Sequence, residues 1–191
     1  MDSGGANLAS IRYALERLGA RAVISADGST IASAERVVLP GVGAAMQAMR
    51  RLREAGLITV LKTLTQPVLG ICLGMQLLFE SSDEGRTECL KVMPGGVQAL
   101  RPGAQRPVPH MGWNALQPLK PDPLLTGVSS GDHAYFVHSY AAAVTEYTLA
   151  SANYGCAFSA VVRRSNFWGT QFHPERSSTL GARVLKNFLT L

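Results

Sequence analysis

The stretch VLGICLGMQ, residues Val68–Gln76, decides the fold. Its first half is a short apolar run, which indicates a buried strand, and its second half continues a helical pattern as far as Glu80. Gly70 and Gly74 lie two residues on either side of Cys72, the spacing of a sharp strand-to-helix turn whose central side chain is a nucleophile. The sequence therefore predicts a strand, a tight turn carrying a thiol, and a helix.

Strand and helix patterns alternate outward from this turn. In the first half of the chain they predict helices at 8–18, 44–55, 57–64 and 74–80, and strands at 22–25, 36–39 and 67–71. After residue 81 they predict strands at 93–98, 112–116, 135–142, 147–153, 160–163 and 167–172, then a helix at 179–191. The expected fold is α/β: an open, mostly parallel, doubly wound sheet with helices on both faces and a β-rich C-terminal half.

The chain length and composition fit a single domain, residues 1–191. The 191 residues are 47% hydrophobic and only 16% charged, with no internal repeat and no long linker. A parallel α/β domain normally begins with a strand, yet here a polar, glycine-containing stretch leads directly into a helix. We therefore expect the first strand of the sheet to be lacking from this sequence, because of a misassigned start, a truncation, or replacement by another segment.

Charge and cysteine content argue against several functional classes. The net charge is +5, but the basic residues are dispersed and not interleaved with aromatic residues, so no nucleic-acid partner is expected. No apolar run reaches the roughly 18 residues of a membrane span. The three cysteines form no CxxC pair, and the N-terminus has no apolar leader, so the expected compartment is the cytoplasm. No metal-ligand or nucleotide-binding pattern is found, and neither metal nor cofactor is expected.

Cys72 is the predicted nucleophile. It stands at the N-terminus of a predicted helix, where the helix dipole favours the thiolate, the reactive form of cysteine. The alternative is a buried, inert cysteine, which is the commoner fate of a cysteine in an apolar run. The two flanking glycines favour the nucleophile, whereas Cys89 and Cys156 have no comparable context.

His173 and Glu175 are the predicted base and its orienting carboxylate. His173 directly follows a predicted strand, and in an extended chain side chains two residues apart point to the same side. Pro174 between them biases His173 away from helix. Three residues alone are a weak signal, and an ordinary surface histidine is the alternative. Together with Cys72 they predict a Cys, His, Glu triad.

The loop Pro40–Gly43 ends another buried strand and is a candidate oxyanion site. It is not a dinucleotide-binding loop, because Met46 stands where that motif requires glycine. We expect the backbone amides of Val42 and Leu73 to stabilise an oxyanion beside the thiol. An ordinary tight turn is the alternative for this loop.

Several motifs together resemble the class I glutamine amidotransferase family. They are PGVG (40–43), GICLGMQ (70–76) and QFHPE (171–175). GANL (5–8), PHMGWN (109–114) and YFVHSY (135–140) narrow the resemblance to the glutaminase subunits of imidazole glycerol phosphate synthases, over nearly the whole chain.

This resemblance implies hydrolysis of L-glutamine to glutamate and ammonia through a thioester on Cys72. It implies a heterodimer with a cyclase subunit, a (β/α)₈ barrel, that uses the ammonia in histidine biosynthesis. By motif position, the expected glutamine contacts are Gly41, Gly43, Gln76, Ser139 and Tyr140, and the expected interface residues are Asn7, Trp113 and Arg176.

Two other functions remain open from the sequence. One is the glutaminase subunit of a different amidotransferase, such as the one that serves pyridoxal phosphate synthesis. The other is a scaffold subunit that keeps the fold but has lost competent chemistry.

Overall fold

A computed structural model describes residues 8–41 and 43–191. Its helices are α1 (Leu8–Arg17), α2 (Gly28–Ala32), α3 (Ala45–Glu54), α4 (Leu57–Thr63), α5 (Leu73–Gln76) and α6 (Ser178–Phe188). Its strands are β1 (Val37–Gly41), β2 (Val68–Cys72), β3 (Ser81–Ser82), β4 (Thr87–Glu88), β5 (Gly96–Ala99), β6 (His110–Ala115), β7 (Gln117–Pro118), β8 (His133–His138), β9 (Tyr140–Ala142), β10 (Thr148–Asn153), β11 (Ala157–Arg164) and β12 (Phe167–Thr170). Short 3₁₀ helices lie at Glu84–Arg86, Pro123–Leu125 and Pro174–Arg176.

The central sheet has the strand order β1-β2-β12-β11-β10-β7. Strands β1 and β12 both run parallel to β2, whereas the pairs from β12 to β7 are antiparallel. The α/β class is confirmed, but the expectation of a mostly parallel sheet is wrong for the described strands. The reason is local: only two residues join β11 to β12, and so short a connection makes an antiparallel hairpin.

The three parallel strands bring the predicted site together. Gly41 is the register partner of Cys72 on one side of β2, and Thr170 is the partner of Ile71 on the other. Because the strands are parallel, the loops that leave their carboxyl ends emerge at one edge of the sheet. Gly41 at the end of β1, the turn at Cys72 and the segment before His173 therefore meet at this edge.

Apolar cores cover both faces of the sheet. On one face, residues of α1 and α6 pack against Leu69 and Ile71, and on the other, residues of α3 and α4 pack with Val68. All five residues of β2 are buried, as expected for a central strand covered by helices on both sides. Within the described residues, no helix is long and apolar enough to span a membrane.

Two smaller sheets complete the architecture. Strands β4-β3-β5-β9 form one, and the antiparallel pair β6-β8 forms the other. In the pair, Trp113 lies opposite Tyr135 and His110 lies opposite His138. This pair contacts the site because the backbone N–H of His173 donates to the carbonyl of Tyr135 at 3.0 Å.

Some predicted elements differ from the observed ones. Residues 22–25 form no strand, because they pair with no other strand in the described part of the chain. The helix predicted at 74–80 ends at Gln76, because the carbonyls of residues 77–79 accept hydrogen bonds from the amides of residues 90–93. Helix α2 was not predicted; Asp27 caps it by accepting from the amide of Thr30 at 2.7 Å. The expected absence of a first strand concerns residues outside those described.

Candidate active site

Cys72 is the last residue of β2, and α5 begins at the next residue. Its backbone has φ 54° and ψ −111°, a positive φ that side-chain-bearing residues rarely adopt. Such strained conformations persist where surrounding structure enforces them, often at functional sites. Cys72 is mostly buried, with 8% of its surface exposed. The predicted strand, sharp turn and helix are all present.

Close backbone packing explains the glycines around Cys72. A Cβ atom added to Gly74 would lie 1.8 Å from the carbonyl oxygen of Leu39 in β1. One added to Gly70 would lie 2.7 Å from the carbonyl oxygen of Gly74, and one on Gly41 would lie 2.5 Å from the amide nitrogen of Gly74. The backbones of β1, β2 and α5 therefore approach more closely than any side chain would permit.

His173 and Glu175 form the predicted contact. The Nδ1 atom of His173 lies 2.8 Å from Oε1 of Glu175, and the Glu175 side chain is fully buried. The predicted extended geometry is wrong, however, because Glu175 belongs to the 3₁₀ turn Pro174–Arg176. The carboxylate reaches the ring because the chain turns back there, and it fixes the ring orientation as expected.

The His173 ring also forms a hydrogen bond with the side chain of Cys72. Burial lowers the pKa of His173, but the hydrogen bonds and negative charges of Cys72 and Glu175 outweigh it and raise the pKa to about 10. Since Nδ1 is occupied by Glu175, the ring presents Nε2 to the sulfur. The arrangement can hold a thiolate next to an imidazolium, as nucleophilic cysteine chemistry requires.

Ser177 holds this turn in place, and the sequence analysis missed it. Its hydroxyl donates to the carbonyl of His173 at 2.7 Å and accepts from the amide of Tyr135 at 2.9 Å. The side chain is buried, so both bonds are shielded from water. The only feature of the sequence that could have indicated this role is a small polar residue directly after the HPER stretch.

Two glutamines lie behind the sulfur. Gln171 donates from Nε2 to Sγ of Cys72 at 3.7 Å, and its Oε1 accepts from Nε2 of Gln76 at 2.9 Å. Gln76 also donates to the carbonyl of Tyr140 at 2.8 Å. The sequence analysis singled out Gln76 but missed Gln171, although the QFHPE motif contains it.

The remaining predicted glutamine and oxyanion residues surround the turn. Gly41 pairs with Cys72 across the sheet, and Leu73 follows Cys72 at the start of α5. Gly43 is exposed and has φ +88°, and Ser139 and Tyr140 are half-buried after β8. Val42 lies outside the described residues.

Two of the three predicted interface residues, Trp113 and Arg176, lie on the surface. Trp113 is 53% exposed and Met111, two residues earlier on β6, is 63% exposed. The Trp113 ring contacts that of Tyr135 edge to face at 5.8 Å, and Arg176 is exposed on the turn that carries Glu175. Asn7 lies outside the described residues.

His110 of β6 and His138 of β8 form a pair of buried histidines. Nδ1 of His110 is 2.9 Å from Nε2 of His138, whose Nδ1 is 2.8 Å from the carbonyl oxygen of Tyr140. Burial lowers the pKa of both rings to about 4. The carbonyl can only accept, so His138 carries its proton on Nδ1 and receives that of His110 on Nε2. Within the described residues, no group of three or more His, Cys, Asp or Glu could hold a metal ion.

Comparisons with known proteins identify the family of this chain. The family model described as glutamine amidotransferase class-I matches residues 1–191. The chain is 53% identical to the imidazole glycerol phosphate synthase subunit HisH of Xanthomonas euvesicatoria pv. vesicatoria over 191 residues, covering 100% of this chain and 96% of that protein. It is 52% identical, with the same coverage, to the protein of that name from Xylella fastidiosa strain Temecula1.

Solved structures share the fold at low sequence identity. A crystal structure of a glutamine amidotransferase superimposes with a TM-score of 0.72 at 21% identity, over 95% of this chain and 92% of that one. The glutaminase domain of Trypanosoma brucei CTPS gives a TM-score of 0.66 at 15% identity, over 96% and 85%. The family model matches the chain from the first residue to the last, and the relatives share about half of their residues with it over almost their whole length. The chain therefore belongs to the class I glutamine amidotransferase family.

Proposed function

We propose that this protein hydrolyses L-glutamine and supplies the ammonia to a cyclase subunit that makes imidazole glycerol phosphate in histidine biosynthesis. The observation that carries the chemistry is the Cys72 side chain on a strained turn, hydrogen-bonded to a His173 ring that Glu175 orients. The choice of pathway is supported by the 52–54% identity to subunits named HisH. We propose that residues 1–191 act as one domain.

In the first half of the reaction the Cys72 thiolate attacks the side-chain amide carbon of glutamine and forms a C–S bond. The carbonyl oxygen becomes an oxyanion, and His173 gives its Nε2 proton to the amide nitrogen. The C–N bond then breaks, ammonia leaves, and a thioester remains on Cys72. Glu175 stabilises the imidazolium before this transfer and fixes its tautomer afterwards.

In the second half a water molecule replaces ammonia. His173, now neutral, takes a proton from the water as the oxygen attacks the thioester carbon. The C–S bond breaks, glutamate leaves, and the Cys72 thiolate with the His173 imidazolium is restored. Atoms balance as one water consumed for one ammonia and one glutamate released.

Backbone amides of Val42 and Leu73 are our proposed oxyanion donors. The register pair of Gly41 with Cys72 supports this proposal, because Gly41 directly precedes Val42 in the sequence. Removing one such donor typically slows acyl transfer by about 10²–10³-fold. Gly41, Gly43, Gln76, Ser139 and Tyr140 are the proposed contacts of the bound glutamine.

The proposed partner is a cyclase subunit with a (β/α)₈ barrel in a cytoplasmic heterodimer. The proposed contact surface contains Trp113 and Arg176, together with Asn7. Exposed aromatic side chains such as Trp113 are enriched at protein interfaces, which supports this choice. Tyr135 joins this surface to the site, because its ring contacts Trp113 and its backbone bonds with His173 and Ser177.

The test measures glutamate release after the chain is reconstituted with the cyclase subunit of an imidazole glycerol phosphate synthase and its nucleotide substrate. We expect Cys72→Ala to lower the rate by at least about 10³-fold, because the thioester cannot form. Cys156→Ala is the matched control, since that cysteine is exposed and belongs to no described site contact, and it should keep the wild-type rate. Retention of glutamate release by Cys72→Ala would refute the mechanism, and an inactive wild-type complex would favour a scaffold subunit.

A further inference from the structure

Cys72 has a buried hydrogen-bond donor besides His173. The Nε2 atom of Gln171 lies 3.7 Å from Sγ, and the Gln171 side chain is fully buried. The carbonyl oxygen of Val137 lies at the same distance of 3.7 Å from the sulfur. The sulfur therefore faces one acceptor, which suits a thiol, and two donors, His173 and Gln171, which suit a thiolate.

The hydrogen bonds around Gln171 determine which end of its amide faces the sulfur. The carbonyl of Tyr140 can only accept, so the Gln76 atom that contacts it at 2.8 Å is the nitrogen. The same nitrogen lies 2.9 Å from the Gln171 side chain, which must present its oxygen there. The nitrogen of Gln171 is consequently directed at Cys72. A flipped Gln171 would set two N–H groups against each other and an oxygen against the thiolate.

We propose that Gln171 is a further catalytic residue, which stabilises the thiolate of Cys72 through its side-chain N–H, and that Gln76 is the positioning residue that holds the Gln171 amide in this orientation. This proposal rests on the proposed glutaminase function. A hydrogen bond to a charged group is stronger than one between neutral groups. The Gln171 N–H therefore stabilises the thiolate of Cys72 more than the neutral thiol. The two glutamines then act as one hydrogen-bonded unit on the nucleophile.

The titratable groups near the sulfur are few. His173 contacts it directly, and Glu175 and His138 interact with the His173 ring. Gln171 itself does not titrate, so its removal changes the thiolate population without adding or removing a charge. This property makes the contribution of Gln171 measurable separately from that of the histidine.

The test is the pH dependence of alkylation by iodoacetamide, read at each cysteine by mass spectrometry in the full chain. Cys156 is exposed and serves as the internal reference in every sample. We expect Gln171→Leu to lower the alkylation rate of Cys72, relative to that of Cys156, by about tenfold at neutral pH, because the thiolate loses a charge-assisted hydrogen bond. Gln171→Glu keeps the shape but brings a carboxylate to the sulfur, and it should lower the rate at least as much.

Thr170→Val is the matched control. Thr170 precedes Gln171 and is equally buried, and its hydroxyl has no hydrogen-bond partner among the residues that the structure describes. Threonine and valine side chains are similar in shape. This variant should leave Cys72 alkylation unchanged. Gln76→Leu should lower the rate, and the double variant Gln76→Leu/Gln171→Leu should be no slower than Gln171→Leu alone, since Gln76 acts through Gln171.

Several outcomes would overturn the proposal. They are wild-type alkylation in a folded Gln171→Leu variant, an equal loss in Thr170→Val, or additive losses in the double variant. If Gln171→Leu fails to fold, Gln171→Met takes its place, because it removes the same N–H without adding a charge. The alkylation readout is independent of glutamine turnover, so refutation of the glutaminase function by Cys72→Ala leaves this test intact.

Discussion

Gly74→Ala tests whether backbone packing, and not conformational freedom, requires glycine beside the nucleophile. Gly74 is the second residue of α5 and does not have a positive φ, so its conformation is open to alanine. Helix propensity alone would make the substitution favourable by about 1 kcal/mol. The added Cβ, however, would lie 1.8 Å from the carbonyl oxygen of Leu39, whereas real Cβ contacts essentially never fall below 3.0 Å.

The two backbones would therefore have to separate by more than an ångström. Leu39 is fully buried in β1 and pairs with Gly70 of β2, so neither side can move without disturbing the parallel sheet. Overpacking of this kind costs about 1–3 kcal/mol, and contact with backbone atoms puts Gly74→Ala at or above the upper end. For a chain of this size, about 3 kcal/mol corresponds to a fall in Tm of about 6–12 °C.

Thermal unfolding followed by circular dichroism measures this effect, with Gly28→Ala as the matched control. Gly28 is also at the start of a helix, α2, but a Cβ there would meet only side-chain atoms, the nearest being Val60 Cγ2 at 3.2 Å. We expect Gly28→Ala to change the free energy of unfolding by less than about 1 kcal/mol. A Gly74→Ala protein as stable as wild type would show that the close approach does not exist.

Three further predictions concern the site and the buried histidines. Glu175→Gln should lower the pKa of His173 from about 10, so that glutamate release, which needs the imidazolium, declines at a lower alkaline pH than in wild type; superimposable pH–rate profiles would contradict this. The folded-state pKa of His110 and His138, about 4, lies below the ordinary value of 6.5, so the unfolded chain binds more protons and stability is lost as pH falls from about 6.5 towards 4. Denaturant titrations of wild type and His138→Gln across this range should give a smaller loss in the variant. Ser177→Ala should cost about 1–3 kcal/mol of unfolding free energy, because the amide of Tyr135 loses its buried acceptor; urea titrations with unchanged midpoints would argue against it.

Local sequence signals determined much of this protein. The GICLG spacing predicted the strand, turn and helix around Cys72, because a nucleophile turn needs glycine where its backbones converge. Apolar periodicity located α1, α3, α4 and α6 to within a few residues, since each helix buries one face. The pairing of His173 with Glu175 was also predictable, because two residues of separation keep the side chains near each other in several backbone conformations.

Other features depended on contacts between segments far apart in the chain. Residues 22–25 have the composition of a strand, but a strand forms only where another strand accepts its hydrogen bonds. The early end of α5 follows from the amides of residues 90–93, which capture the carbonyls that would have continued the helix. A local sequence pattern does not indicate that amides from a distant segment will compete for the carbonyls of a helix.

The amino-acid sequence by itself indicated the type of chemistry, because the proposed nucleophile, base and orienting carboxylate each lie in a short motif. Only the tertiary structure decided what surrounds the sulfur of Cys72. Gln171 is 99 residues away and Val137 is 65, and both reach it because parallel strands end at one edge of the sheet and β8 folds over that edge. Hydrogen bonds of a few ångströms across such separations depend on the packing of whole elements, which a linear sequence pattern does not encode.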